Sequence, residues 1–238
     1  MNTKKPVLGI LGGMGPYATH YFYKRILDLT PAKKDWEHLR IIIDSNPHIP
    51  SRSRYILYDE SSPVDAMIDS CKRLESYPVD MIVVPCNSAC YFLDEIVPHI
   101  NIDVVNIIDV TVTAVVKELR EQKVSRIAVL GGAVTYYKKS YENSLIKQGF
   151  IYVHHSKELQ ERVMQVIEKL KKMHLTPELL DQLVEIITEI KKQYHVDLLI
   201  LGCTEFSMIY EEIQLAKIIL IDSSTELAKY CIETLMGG

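Results

Sequence analysis

The chain has 238 residues, 47 % of them hydrophobic and 24 % charged, with a formal net charge of −4. That length allows one large α/β domain or two small ones, each with its own core. The ordinary composition holds no basic stripe or polybasic run, which argues against nucleic-acid and membrane-surface binding; the lysine clusters Lys33–Lys34, Lys138–Lys139 and Lys169–Lys172 read as solvated helix faces.

After Met1-Asn2-Thr3-Lys4-Lys5 the apolar run Pro6-Val7-Leu8-Gly9-Ile10 is soon broken by glycines, so it reads as a buried strand and not as a leader. No stretch reaches the roughly 18 apolar residues that span a bilayer. Candidate strands follow at 7–11, 39–43, 80–85, 103–107, 126–130, 150–153, 197–201 and 217–221. Many are Val- and Ile-rich and apolar throughout, as strands covered on both faces are. Amphipathic helices are expected at 16–29, with Pro16 in the first turn, then at 63–76, 111–121, 136–148, 157–171, 177–194 and 224–236. Ser223-Ser224-Thr225-Glu226 has the spacing of a capping box. Strand–helix alternation of this kind predicts an α/β fold with mainly parallel sheets and right-handed crossovers.

The five cysteines, Cys71, Cys86, Cys90, Cys203 and Cys231, are odd in number in a chain that is not small. They read as free thiols in a reducing, cytoplasmic setting. Cys86 and Cys90 lack both the spacing and the His partners of a zinc site, so no metal is expected.

An internal repeat is the most informative feature. Leu11-Gly12-Gly13 returns as Leu130-Gly131-Gly132, Val79-Asp80 through Cys86 returns as Val196-Asp197 through Cys203, and Ile107-Ile108-Asp109 returns as Leu220-Ile221-Asp222. The offsets are 119, 117 and 113 positions, nearly equal and in the same order. Each half then carries one cysteine just past the C-terminal end of a strand, where open α/β sheets bind ligands. Two such halves facing across a pseudo-two-fold bring the two thiols to opposite sides of one cleft. Residues 1–110 with 208–238 are expected to form the half bearing Cys86, and 111–207 the half bearing Cys203.

Racemisation at Cα needs a base on one face and an acid on the other, and two thiols can do both jobs. A cysteine entering a helix sits near the positive end of the dipole, which lowers its pKa. Asn87-Ser88 and Thr204-Glu205 follow the two cysteines, and their amides and hydroxyls are candidates to hold a carboxylate. The carbanion would have to be stabilised by preorganised dipoles in a dry cleft. Cys71 and Cys231 lie in helical apolar patterns and read as buried, inert residues; Cys90, one turn after Cys86, reads as packing or as a partner of Cys86.

At these residues the chain resembles the aspartate/glutamate racemase family. Leu11-Gly12-Gly13-Met14-Gly15-Pro16, Pro85-Cys86-Asn87-Ser88-Ala89 and Gly202-Cys203-Thr204-Glu205 look like its three signatures, in order and at the right spacing. Asn46-Pro47-His48-Ile49-Pro50-Ser51-Arg52 is similar to a loop of the aspartate-racemase branch. The resemblance covers about residues 6–225. It implies two pseudo-symmetric Rossmann-like α/β halves with the active site between them. It also implies a homodimer, no pyridoxal phosphate or other cofactor, and an acidic amino acid, aspartate or glutamate, as substrate. Cys86 and Cys203 would be the acid–base pair. Asn87 and Ser88 would hold the α-carboxylate, with Thr204 on the other side and Thr135 a further candidate. Arg52 would grip the side-chain carboxylate with its planar fork, Lys172 would stand as a second cation, and Met14 and Glu205 would border the substrate.

The chain departs from the family pattern at several places: Ser88 stands where Thr is usual, Cys90 where His is usual, and Ser51 where Asp is frequent. Gly132-Ala133-Val134-Thr135 replaces a more polar turn. Both sulfurs remain, but lost partners keep a related isomerase and a non-catalytic binder of acidic ligands open. Gly13-Met14-Gly15-Pro16-Tyr17-Ala18, with Asp44 ending the next strand, also fits a dinucleotide-binding pattern, so an NAD-dependent oxidoreductase is a remote alternative.

Overall fold

The computed structural model describes residues 5–119, 125–173, 175–214 and 218–237. All eight expected strands form: β1 (Val7–Gly12), β2 (Arg40–Ser45), β3 (Met81–Val83), β4 (Val104–Val105), β5 (Arg126–Gly131), β6 (Ile151–Val153), β7 (Leu198–Gly202) and β8 (Ile219–Asp222). They make two four-stranded parallel sheets, ordered β2-β1-β3-β4 and β6-β5-β7-β8. The same order in both sheets is the structural form of the internal repeat. The inner strands β1, β3 and β7 are buried along their whole length, which is why they read as unbroken apolar runs.

The repeated Val-Asp pair has a local cause. Asp80 Oδ2 accepts from Val7 N at 2.7 Å, and Asp197 Oδ2 accepts from Ser125 N and Arg126 N, both at 2.9 Å. Each aspartate thus pins the first amides of the neighbouring inner strand and fixes the register of the sheet. The pinning amides hold the Asp197 carboxyl below its ordinary pKa.

Helix boundaries follow local chemistry. Helix Pro16–Leu29 starts on Pro16, helix Lys157–Lys171 is capped by Ser156 accepting from Leu159 N, and Thr176 caps helix Pro177–Tyr194 in the same way. The helix expected over 136–148 divides into Ala133–Tyr137 and Glu142–Lys147, with Lys139 between them at φ 49°. The helix expected over 111–121 begins earlier, at Ile107, and residues 120 and 121 lie outside the described residues, as does residue 217 of the last expected strand. The last helix, Ser223–Met236, is not capped by Ser223. Asp222 is the cap, accepting from Ser224 N and Thr225 N. Ser223 instead donates its hydroxyl proton to Leu201 O at 2.8 Å.

Segment 208–238, grouped from sequence with the first half, divides between the two. β8 pairs with β7 in the second sheet, whereas helix Ser223–Met236 packs on helices Pro16–Leu29 and Ile107–Leu119, the latter crossing the expected boundary at 110 and joining the apolar cluster of the first sheet. Arg25 Nε donates to Thr225 Oγ1 at 3.1 Å across that contact. The second half has its own apolar cluster, in which Val163, Ile167, Leu183 and Ile187 of the two long helices pack together. Truncating one such fully buried leucine to alanine costs about 2–5 kcal/mol.

Candidate active site

Both glycine turns are built by close approach. A Cβ on Gly12 would lie 2.3 Å from Thr19, and one on Gly131 would lie 2.6 Å from Thr135, so the threonines occupy the space that the glycines leave. Gly13, at φ 87°, has the Asn46 backbone against the position of its missing Cβ. The turns then face the opposite half. A Cβ on Gly15 would stand 3.6 Å from Glu205 Oε1, and one on Gly132 would stand 3.4 Å from Ser88 Oγ. Each turn therefore backs the residue two places after the other half's cysteine.

A cleft of about 470 Å³, including its open mouth, lies between these elements. Cys86 and Cys203 both line it, with Met14, Arg52, Asn87, Ser88, Thr204 and Glu205. Eight of the residues singled out from sequence are thus gathered in one place. Thr135 and Lys172 are not among the lining residues. Thr135 is buried behind Gly131, its hydroxyl without a hydrogen-bond partner. Lys172 is the exposed cap residue of helix Lys157–Lys171, and the cation at the cleft is its neighbour Lys171. One position on a helix is about 100° of rotation, enough to move a side chain from the cleft to solvent.

Cys86 caps a 3₁₀ segment, Asn87–Phe92, and Cys203 caps a single turn, Thr204–Ser207. At Cys203 the expected lowering of the thiol pKa is reversed. Burial and the adjacent carboxylate of Glu205 push the Cys203 thiol well up, with Lys171 opposing them. The Cys203 thiol donates to Glu205 Oε2 at 3.0 Å. Glu205 itself is buried. Cys90 is buried, donates weakly to Cys86 O at 3.7 Å, and is pushed up to about 12 by burial, so it packs beneath Cys86 as a neutral thiol. Burial likewise pushes Cys71 and Cys231 up to about 12, in line with inert roles.

Two cations border the cleft. Arg52 opens helix Arg52–Tyr58, with Ser51 as its cap accepting from Arg54 N. Its Nη1 donates to Ile49 O and Pro50 O and its Nη2 to Met14 O, at 3.1–3.3 Å, which ties the 49–52 loop to the glycine turn. Its Nε is buried without a partner. Lys171 Nζ pairs with Glu168 at 2.8 Å. Burial draws its pKa down, but Cys203, Glu168 and Glu205 together outweigh that and raise it.

Sequence reasoning did not find Lys171, Met164 or Ile167, which complete the wall from helix Lys157–Lys171. Their only signal was the amphipathic period of that helix, which does not say that its inner face reaches a cleft. It also missed Tyr141 and Ser223, which hold Asn87 from outside the cleft. The dinucleotide pattern gains no support from its surroundings. The mouth of the Gly13–Gly15 turn is occupied by the Glu205 carboxylate, an unfavourable neighbour for a phosphate. Among the described residues no group of three or more His, Cys, Asp or Glu is placed to hold a metal ion, and no helix is long and apolar enough to cross a membrane.

Comparison with known proteins gives a consistent picture. Residues 11–231 match the Asp/Glu/hydantoin racemase family. The broad specificity amino-acid racemase RacX of Bacillus subtilis (strain 168) is 30% identical over 235 residues, 97% of this chain and 99% of that protein. The solved aspartate racemase of Picrophilus torridus superposes with a TM-score of 0.82 at 29% identity, covering 97% of this chain and 94% of that one. The glutamate racemase isoform RacE1 of Bacillus anthracis shares the fold, with a TM-score of 0.68 at 20% identity over 98% of this chain and 83% of that one. The chain is an isomerase and belongs to the Asp/Glu/hydantoin racemase family.

Proposed function

We propose that the protein interconverts the enantiomers of an acidic amino acid, aspartate or glutamate, with Cys86 and Cys203 as acid and base on opposite faces of Cα. The observation that carries this reading is the pair of thiols at equivalent strand ends of the two halves, both lining one cleft. One thiolate removes the α-proton, and the other thiol delivers a proton from the far side. For the opposite enantiomer the roles of the two sulfurs are exchanged. Cys203, held protonated by burial and bonded to Glu205, suits the donor's role in the resting enzyme.

The polar groups suit the substrate's two carboxylates. Asn87, Ser88 and Thr204 stand beside the sulfurs as candidates for the α-carboxylate. Arg52 keeps Nε and one Nη2 hydrogen uncommitted, a pair of donors for a carboxylate, and Lys171 supplies a second positive charge in place of Lys172. Met14, Met164 and Ile167 form the apolar part of the wall. The test is a panel of L- and D-amino acids incubated with the reduced protein, with enantiomers separated afterwards and no cofactor added. Racemisation of aspartate or glutamate in preference to neutral and basic amino acids is expected. Racemisation confined to neutral or basic amino acids would overturn the substrate assignment, and none at all would overturn the reading.

A further inference from the structure

Asn87 follows Cys86 and is 2 % exposed. An asparagine amide can adopt two orientations related by a flip, and only its partners decide between them. Here the partners form a directed chain. The Ser223 hydroxyl has one proton and donates it to Leu201 O at 2.8 Å. Its oxygen can then only accept, and it accepts from Asn87 Nδ2 at 3.0 Å. At the other end the fully buried Tyr141 hydroxyl donates to Asn87 Oδ1. Thr111, also beside the phenol, has its own proton committed to Ile107 O at 2.6 Å. In the flipped amide, Oδ1 would face the Ser223 oxygen, whose proton is already given to Leu201 O, setting two buried acceptors against each other, and the Tyr141 proton would lose Oδ1 as its acceptor.

We infer that Tyr141 is a positioning residue that fixes the Asn87 amide, so that its one uncommitted N–H serves the cleft as a preset carboxylate donor. The inference rests on the proposed carboxylate-binding role of Asn87. The carbonyl oxygen is spent on Tyr141 and one N–H on Ser223, so a single side-chain donor remains on Asn87, a residue that lines the cleft. Tyr141 and Ser223 are 54 and 136 positions from Asn87 in sequence, so the donor is oriented only when these distant segments are packed together. A donor aimed in advance costs no reorganisation when the substrate arrives.

The test uses Tyr141→Phe, which keeps the ring and removes the hydroxyl, with Thr30→Val as a control for loss of a buried hydroxyl, bonded to Ile26 O, that does not touch Asn87 or Tyr141. Tyr141→Phe is expected to raise KM for the racemised amino acid roughly tenfold while kcat changes less than about threefold, the pattern of lost binding of ground and transition state alike. Thr30→Val should leave both unchanged. A second readout does not depend on turnover: the side-chain amide resonances of Asn87, assigned by their loss in Asn87→Ala. They should be sharp and protected from exchange with water in the wild type and in Thr30→Val, and shifted and fast-exchanging in Tyr141→Phe. If Tyr141→Phe does not fold, Ser223→Ala removes the other anchor and should move the same resonances. Wild-type KM and wild-type Asn87 resonances in a folded Tyr141→Phe protein would overturn the inference. A wild-type protein that racemises nothing would instead overturn the proposed function, and the resonances would still decide the role of Tyr141.

Discussion

The two cysteine motifs occupy equivalent places in the repeat and have different neighbours. Two residues after Cys86 stands Ser88, a neutral hydroxyl backed by Gly132; two residues after Cys203 stands Glu205, a buried carboxylate backed by Gly15. Asn87 is held by the neutral groups Tyr141 and Ser223, whereas Cys203 is held by one charge and faced by another, Glu205 and Lys171. The duplicated backbone delivers two sulfurs to one cleft, and the charged side chains stand beside only one of them. The proposed reaction, which needs one acid and one base at the same moment, would be served by that inequality.

The sharpest way to break the comparison is to remove each sulfur. Cys86→Ala and Cys203→Ala should each lower racemisation by roughly a thousandfold or more in both directions, as measured by chiral chromatography. Equal free energy of the enantiomers requires kcat/KM to fall by the same factor from either side. A wild-type rate in either variant would end the two-thiol account.

Next in size is the carboxylate at Cys203. Burial comes first in raising that thiol, and Glu205 second, so Glu205→Gln should let it ionise at lower pH. In the direction where Cys203 is the base, the rise of kcat with pH should move to lower pH; where Cys203 is the acid, the fall of kcat should also begin at lower pH. A pH titration of thiolate ultraviolet absorbance checks the same shift. Unchanged profiles would show that burial alone controls the sulfur.

The cation pair separates neighbours. Lys171→Met should lower kcat/KM roughly tenfold, the size of one charge-assisted contact, and Lys172→Met by less than twofold. The reverse order would restore Lys172 as the substrate's partner.

The smallest effect concerns the matched aspartates that pin the two sheets. Asp197 receives two backbone amides and Asp80 one. Asp197→Asn should cost about 1–2 kcal/mol and Asp80→Asn about 1 kcal/mol in denaturant unfolding. Because the folded pKa of Asp197 is lowered, its contribution is complete above the ordinary Asp value of about 3.9. It is lost as pH falls through the lowered folded value. The gap between variant and wild type should therefore be full at neutral pH and close only in acid.

Much of this was legible in the sequence because it depends on short-range chemistry. The inner strands are buried on both faces, so their apolar runs mark them; glycines at strand ends mark turns where Thr19 and Thr135 crowd the backbone. The repeated Val-Asp pair located both cysteines because the aspartate has a register-setting job in each sheet. Contacts that cross between distant segments left no local trace. Tyr141 reads as an ordinary helix residue and Ser223 as the cap of a capping box, a place that Asp222 in fact takes. Lys171 and Lys172 are indistinguishable by composition, and only the rotation of the helix separates them. The expected lowering of the thiol pKa failed at Cys203 because the fold buries the thiol and sets it against the Glu205 carboxylate.

The most direct test of two thiols acting on opposite faces is racemisation of L-aspartate in heavy water, with deuterium at Cα followed in each enantiomer at early times. The account predicts that the D-aspartate formed carries solvent deuterium at Cα while the remaining L-aspartate stays largely unlabelled, since the proton leaves to one sulfur and returns from the other. Deuterium entering both enantiomers equally from the start, or D-aspartate that keeps the original proton, would contradict it.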